Sequence, residues 1–445
     1  MVKRILKSVG IDKAIGYSSM ARVIQAAGGL FTVFFIAANL SGDEQGYYYT
    51  FGSILALQIF FELGLGGIII QYVAYEFAKL ELSDNIITGD GRSLSRLASL
   101  LKLFSKWYGL VTALFFITVY FGGRYFFSVN GDLGTNVQWE IPWLILCVTS
   151  SANLLLSPAI AFVEGIGKVK EIAKLRMCTQ TLAIITTWSV LLLGGKLFAS
   201  PATSSVTLII TLTFILVRFR KVLWQLFGVI VTEKISYKKE IFPYQWKIAL
   251  SWISGYFIFQ LFNPVLFKYS GPLIAGQMGM TMSALNGIMA LTLSWTSTKV
   301  PFWSSFIARN EYRQLDESYS GTLRNSSIVC AVCLCLFWGF LVSMDYMGIM
   351  LYKRFLPLAL SVLLGLTIFM NNVVNIWATY LRCHKKEPFL IQSILVGACC
   401  AASTILCGKY FGVYGVVAGY FLIVSGISVP LSYYIFKTKR KEFHG

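Results

Sequence analysis

Glu62 stands inside the apolar run Thr50–Ile70, TFGSILALQIFFELGLGGIII, with Gln58 one helical turn before it. A carboxylate in such a run can trade a proton. Keeping an acid ionised near the centre of a bilayer costs about 3 kcal/mol. Protonating a glutamate of ordinary pKa at pH 7 costs about 3.7 kcal/mol. The two costs are close, so small changes in hydration or in partners decide the proton's place. Ion coupling needs that balance, and Glu62 with Gln58 is the ion-coupling candidate. A fixed pairing, for instance with Arg22, is the structural alternative.

Further polar stripes recur at helical spacing in other apolar runs. They are Ser18, Arg22, Gln25, Gly29 and Thr32; Ser150, Asn153 and Ser157; Tyr256, Gln260 and Asn263; Ser283, Asn286 and Ser297; Asn371, Asn375 and Thr379. A single such group is most simply glue between helices, worth about 0.6 kcal/mol on average. Stripes in both halves of the chain fit a shared hydrophilic cavity instead. The substrate-binding candidates are Arg22, Gln25, Asn153, Gln260, Asn263, Asn286, Asn371 and Asn375. Arg22 can fork onto a phosphate with two hydrogen bonds or snorkel to the headgroups. Lys102 and Lys106 are weaker candidates of the same kind.

The elements that must position these groups are membrane helices. Of 445 residues, 56% are hydrophobic and 13% charged, against about 25% charged in a soluble chain. Apolar runs of about 20 residues give about twelve spans. They lie near 15–40, 47–77, 100–121, 141–163, 175–194, 203–219, 247–267, 272–297, 326–344, 357–380, 389–407 and 413–436. Arg124, Lys196, Lys268, Lys353, Arg354 and Lys409 fall on one set of alternating loops, and the remaining 32 of the 38 Lys and Arg fall on or near the other. That asymmetry puts both termini in the cytoplasm. No cleavable signal peptide is read, and the first apolar run stays as the first span.

The basic stretch Arg218–Lys247 divides the spans six and six. The expected parts are an N-terminal lobe at 1–219, a cytoplasmic connector at 220–245 and a C-terminal lobe at 246–445. The connector's VLWQLFGVIV reads as an amphipathic helix along the interface. Ser41, Gly42 and Gly46 after the first span resemble Ser270, Gly271, Gly276 and Gly279 after the seventh. That similarity makes the halves a parallel repeat. The fold class is all-α: a polytopic membrane protein of about twelve helices in two six-helix lobes around a central cavity.

Several classes are excluded. Basic residues are spread over short clusters, which argues against nucleic acid despite a net charge of +18. The nine cysteines sit mostly in apolar runs, and Cys330, Cys333 and Cys335 lack the partners of a metal site. His384 and His444 are the two histidines and neither lies within a span, so no His-centred triad forms at membrane depth. No P-loop and no G-x-S-x-G elbow occurs. The reading is a non-enzyme without metal or cofactor.

Residues 40–78, LSGDEQGYYYTFGSILALQIFFELGLGGIIIQYVAYEFA, closely resemble the start of bacterial O-antigen flippases. These belong to the multidrug/oligosaccharidyl-lipid/polysaccharide exporter superfamily. Gly46 to Phe51, Phe61 to Leu65 and Gln71 carry the resemblance, which is architectural elsewhere. It implies movement of undecaprenyl-pyrophosphate-linked O-antigen units to the periplasmic leaflet, by alternating access coupled to a proton or sodium ion. It also implies the bacterial inner membrane as location, with an O-antigen polymerase and chain-length regulator as partners. The alternatives are a drug or metabolite exporter of the same superfamily and a non-transport assembly factor of polysaccharide export.

Overall fold

The computed structural model describes residues 13–83, 86–131, 137–384 and 386–444, and for a few of these, Arg22 among them, the backbone alone. Helix dominates, as uninterrupted apolar sequence dictates where backbone groups must satisfy one another. The chain opens with α1 (Lys13–Asn39). The second span is in three pieces, α2 (Gly42–Leu55), α3 (Gln58–Glu62) and α4 (Leu65–Phe77). A short antiparallel hairpin follows, β1 (Leu80–Ser83) and β2 (Ile86–Gly89), with Leu80 opposite Gly89. Then come α5 (Gly91–Asn130), α6 (Glu140–Gly165), α7 (Val169–Leu192), α8 (Ala199–Arg218) and the connector helix α9 (Arg220–Gly228). The remainder is α10 (Phe242–Phe259), α11 (Phe262–Ala308), α12 (Tyr312–Tyr346), α13 (Leu358–Arg382), α14 (Leu390–Ile423) and α15 (Val429–His444).

Among the described residues eight helices are long and apolar enough to cross a membrane, and the bent pair Gly42–Glu62 with Leu65–Phe77 makes nine. Two of the eight are double. Gly271 (φ 86°, ψ 170°) interrupts α11 and Gly412 (φ 59°, ψ −143°) interrupts α14, in a region essentially closed to other residues. With those divided and α1 added, twelve membrane-length segments result, the number the apolar runs predict. The protein is an all-α, multi-pass membrane protein.

Two compact units form. The first comprises the described residues to Ile24, with Leu55–Ser128 and Gln138–Ile253; the second comprises Gln25–Ile54, the described part of Val129–Val137 and the chain from Ser254 onward. Residues 25–54 thus cluster with the C-terminal spans, and the unit boundaries differ from the simple halving of the sequence.

In the first unit the connector is tied down by side chains of α5. Ser95 Oγ accepts the amides of Thr232 (2.8 Å) and Glu233 (2.9 Å), and Ser99 Oγ accepts that of Ile235 (3.2 Å). Lys102 Nζ donates to the Val229 carbonyl (2.7 Å). Gln225 of α9 exchanges two 2.8 Å bonds with the Ile87 backbone of β2. Arg96 joins Glu76 (2.7 Å) to Glu240 (2.8 Å). Burial pushes the Glu240 carboxyl up, but the Ser236 amide and Arg96 outweigh it and hold it below its ordinary value. As the amphipathic reading expects, α9 buries Val222 and Leu226 and exposes Trp224 and Phe227.

In the second unit small residues let helices touch. A Cβ on Gly46 would lie 2.0 Å from the Pro272 carbonyl oxygen, one on Gly276 would lie 2.8 Å from the Gly46 nitrogen, and one on Gly279 would strike Tyr49. This is close backbone packing of the small-residue kind. Gln45, 1% exposed, spans the contact by donating to the carbonyls of Gly276 (2.8 Å) and Arg354 (3.0 Å). Arg354 in turn donates to the Leu40 carbonyl (2.6 Å). The glycines that repeat in the sequence therefore meet in space.

Candidate functional site

Glu62 is the last residue of a five-residue helix. Leu63 (φ 50°) and Gly64 (φ 70°) both follow in the left-handed region, and the span bends by 41° there. Left-handed backbone costs a leucine about 1–2 kcal/mol. The Leu63 amide closes α3 on the Ile59 carbonyl (3.1 Å). Gly64 is required by space as well as by φ, since a Cβ would meet Ile248 of α10 at 2.6 Å. A carboxylate at a helix break has neighbours that an unbroken helix would not offer.

Glu62 is partly buried. Its Oε2 accepts from Gln58 Nε2 at 3.3 Å, and its Oε1 accepts from Ser157 Oγ of α6 at 3.2 Å. Ser157 stands just before Pro158, which lies inside α6 and supplies no amide hydrogen. The fully buried Tyr108 of α5 has its hydroxyl beside Glu62 and Ser157, with no hydrogen-bond partner among the described residues. On another side a Cβ at Gly66 would sit 3.5 Å from Glu62 Oε1, so the glycine leaves that approach open. A carboxylate has about four acceptor sites, and two long bonds use two of them. Glu62 forms no salt bridge with a described side chain.

The remaining candidates fall into distinct settings. Arg22 lies outside the residues whose side chains are described, and so does its pairing with Glu62. Asn153 Nδ2 donates to the Thr149 carbonyl (2.9 Å) within α6 and to the Ser204 carbonyl (3.0 Å) of α8. Gln25 and Asn286 are exposed, and Gln260 is partly buried. Asn263 donates to Ser53 Oγ (3.1 Å), while its Oδ1 is buried without a partner among the described residues. Asn371 donates to the Tyr420 hydroxyl (2.9 Å), joining α13 to α14. Asn375 turns back onto the Asn371 carbonyl (2.8 Å). Beside them the fully buried Asn372 holds Thr292 (3.0 Å) and Ser326 (3.3 Å). Lys106 is exposed, and Lys102 serves the connector as described. Among the described residues no group of three or more His, Cys, Asp or Glu could hold a metal ion.

The helix break and Tyr108 are absent from the sequence reading. The glycines of ELGLGG signal the break in part, but Leu63 in left-handed backbone gives no sign of itself. Tyr108 is 46 positions from Glu62 and looks like any aromatic in an apolar run.

No family model matches the sequence, and no curated protein matches it either. Solved structures do. An inward-facing multidrug resistance MATE family transporter of the MOP superfamily aligns with TM-score 0.61 at 12% identity, over 95% of this chain and 96% of that one. The lipid II flippase MurJ in an inward closed conformation aligns with TM-score 0.59 at 14% identity, over 96% and 88%. A point mutant of the Vibrio cholerae MATE transporter VcmN aligns with TM-score 0.56 at 11% identity, over 97% and 98%. The chain has the fold of these MOP-superfamily transporters along nearly its whole length.

Proposed function

We propose that this chain is a flippase, moving undecaprenyl-pyrophosphate-linked O-antigen units from the cytoplasmic to the periplasmic leaflet of a bacterial inner membrane. The observation that carries the reading is Glu62, held by Gln58 and Ser157 at a broken span within the stretch that resembles O-antigen flippases. The fold, shared with a lipid II flippase, supports it. Both termini are cytoplasmic in this reading, and Arg22 meets the pyrophosphate. Gln25 and Asn286, exposed amides, contact the sugars together with Gln260, Asn263 and Asn375. Asn153 and Asn371 hold the helices that line the path. Glu62 takes up a proton or sodium ion in one state and releases it in the other, and that difference in affinity biases the cycle.

Surface O-antigen in a flippase-deleted bacterial host tests the assignment. Wild type restores it, while Arg22→Ala and Glu62→Gln at matched low expression do not. Full restoration by both variants would overturn both roles. Arg22→Lys separates charge from geometry, with loss of function expected if the guanidinium grips phosphate bidentately. A drug exporter is the second reading, because the likeness to multidrug transporters equals that to the lipid flippase. Proteoliposomes decide between them: drug efflux without translocation of lipid-linked sugar favours the exporter.

A further inference from the structure

Between α7 and α8 in the first unit runs a groove of about 640 Å³. Its walls are apolar, with Ile210 and Phe214 of α8 among them, and its rim is charged. Lys170 and Lys174 stand one helical turn apart on α7, and Arg218 closes α8 opposite them. Among these cations Glu171 also lines the groove, and its Oε2 is shielded from solvent without a hydrogen-bond partner among the described residues. A shielded carboxylate oxygen with no donor is costly and calls for one. The lysine stems can follow the apolar walls while their ammonium groups stay at the rim.

We infer that this groove is a phospholipid site selective for a primary-amine headgroup, phosphatidylethanolamine. The phosphate sits among Lys170, Lys174 and Arg218, the ammonium donates to Glu171, and an acyl chain lies along Ile210 and Phe214. The mixed charge of the rim selects this occupant. A purely anionic headgroup satisfies the three cations, but its net charge repels Glu171 and its hydroxyls offer only neutral donors in place of a charge-assisted one. A choline headgroup has the positive charge but no N–H to give. Free phosphate leaves the apolar walls bare. The site is independent of the substrate path proposed above, and its test reads binding and not transport.

The experiment uses the full chain, purified in detergent, delipidated, and titrated with phosphatidylethanolamine, phosphatidylglycerol or phosphatidylcholine of matched chains, with retained lipid counted by native mass spectrometry. Wild type is expected to hold phosphatidylethanolamine about tenfold more tightly than the other two, the worth of one charge-assisted bond. Glu171→Gln removes that preference, and Lys174→Gln with Arg218→Gln weakens all three lipids. Thr213→Trp, which fills the groove without touching a charge, lowers all three alike. Equal or tighter retention of phosphatidylglycerol by wild type would overturn the inference, as would an unchanged preference in Glu171→Gln. Should Glu171→Gln fail to fold, the wild-type ranking and Thr213→Trp decide: binding unaffected by the tryptophan places the lipid elsewhere.

Discussion

The stretch from Leu40 to Ala78 contains two regions built on opposite principles. Around Gly46, backbone touches backbone, and Gln45 donates both its amide hydrogens to main-chain carbonyls of the second unit. Around Glu62, the helix comes apart, the hydrogen bonds are 3.2 and 3.3 Å long, and among the described residues acceptor capacity is left over. One region leaves no room between its backbones; the other keeps unused acceptor capacity among the described residues. A similar run of residues in a family therefore has two separate physical reasons to persist. The first is the shape of a helix contact, and the second, in the function proposed above, is a group that changes state.

Breaking the first region should produce the largest effect. Gly46→Ala would push a methyl group into the Pro272 carbonyl, and the helices would have to separate. We expect a loss of about 3 kcal/mol, read as a lower unfolding temperature in detergent and a poor yield of folded protein. Glu62→Gln should do the reverse. The amide oxygen still accepts from Ser157, and Gln58 can turn its own oxygen toward the new amide hydrogens, so the unfolding temperature should hold while transport falls by about tenfold or more, as proton or ion uptake at that site is lost. If Glu62→Gln instead unfolds the protein with transport per folded molecule intact, the two regions do not differ in kind. Ser157→Ala should be milder. It removes one bond worth about 1 kcal/mol and should lower transport less than Glu62→Gln does, with the unfolding temperature near that of wild type. Smallest is Leu63→Gly, which relieves left-handed strain and should stabilise by about 0.5–1 kcal/mol, with the bend retained.

The sequence shows the spans well because apolar length is a one-dimensional property, and even the Gly271 and Gly412 turns fall at the expected gaps between windows. It shows Gln58 beside Glu62 because one helical turn is local. It hides whatever depends on a neighbouring helix. Asn153 and Asn371 read like cavity residues, yet their amides reach Ser204 and Tyr420, because periodicity gives the face of a helix but not what that face meets. The connector reads as a basic linker. Its docking rests on Ser95 and Ser99, small hydroxyls whose value lies in accepting backbone amides more than 130 positions away.

The glycine at 412 has a consequence for how the chain is made. Two spans joined through one residue leave no loop long enough to be threaded across the membrane by itself. The segments on either side of Gly412 are expected to enter the bilayer together, as a pair, and so are those around Gly271. Four of the twelve segments are thus expected to enter two at a time during synthesis, and Lys268 and Lys409, exposed beside the two turns, are what an amine-labelling reagent outside the membrane would reach.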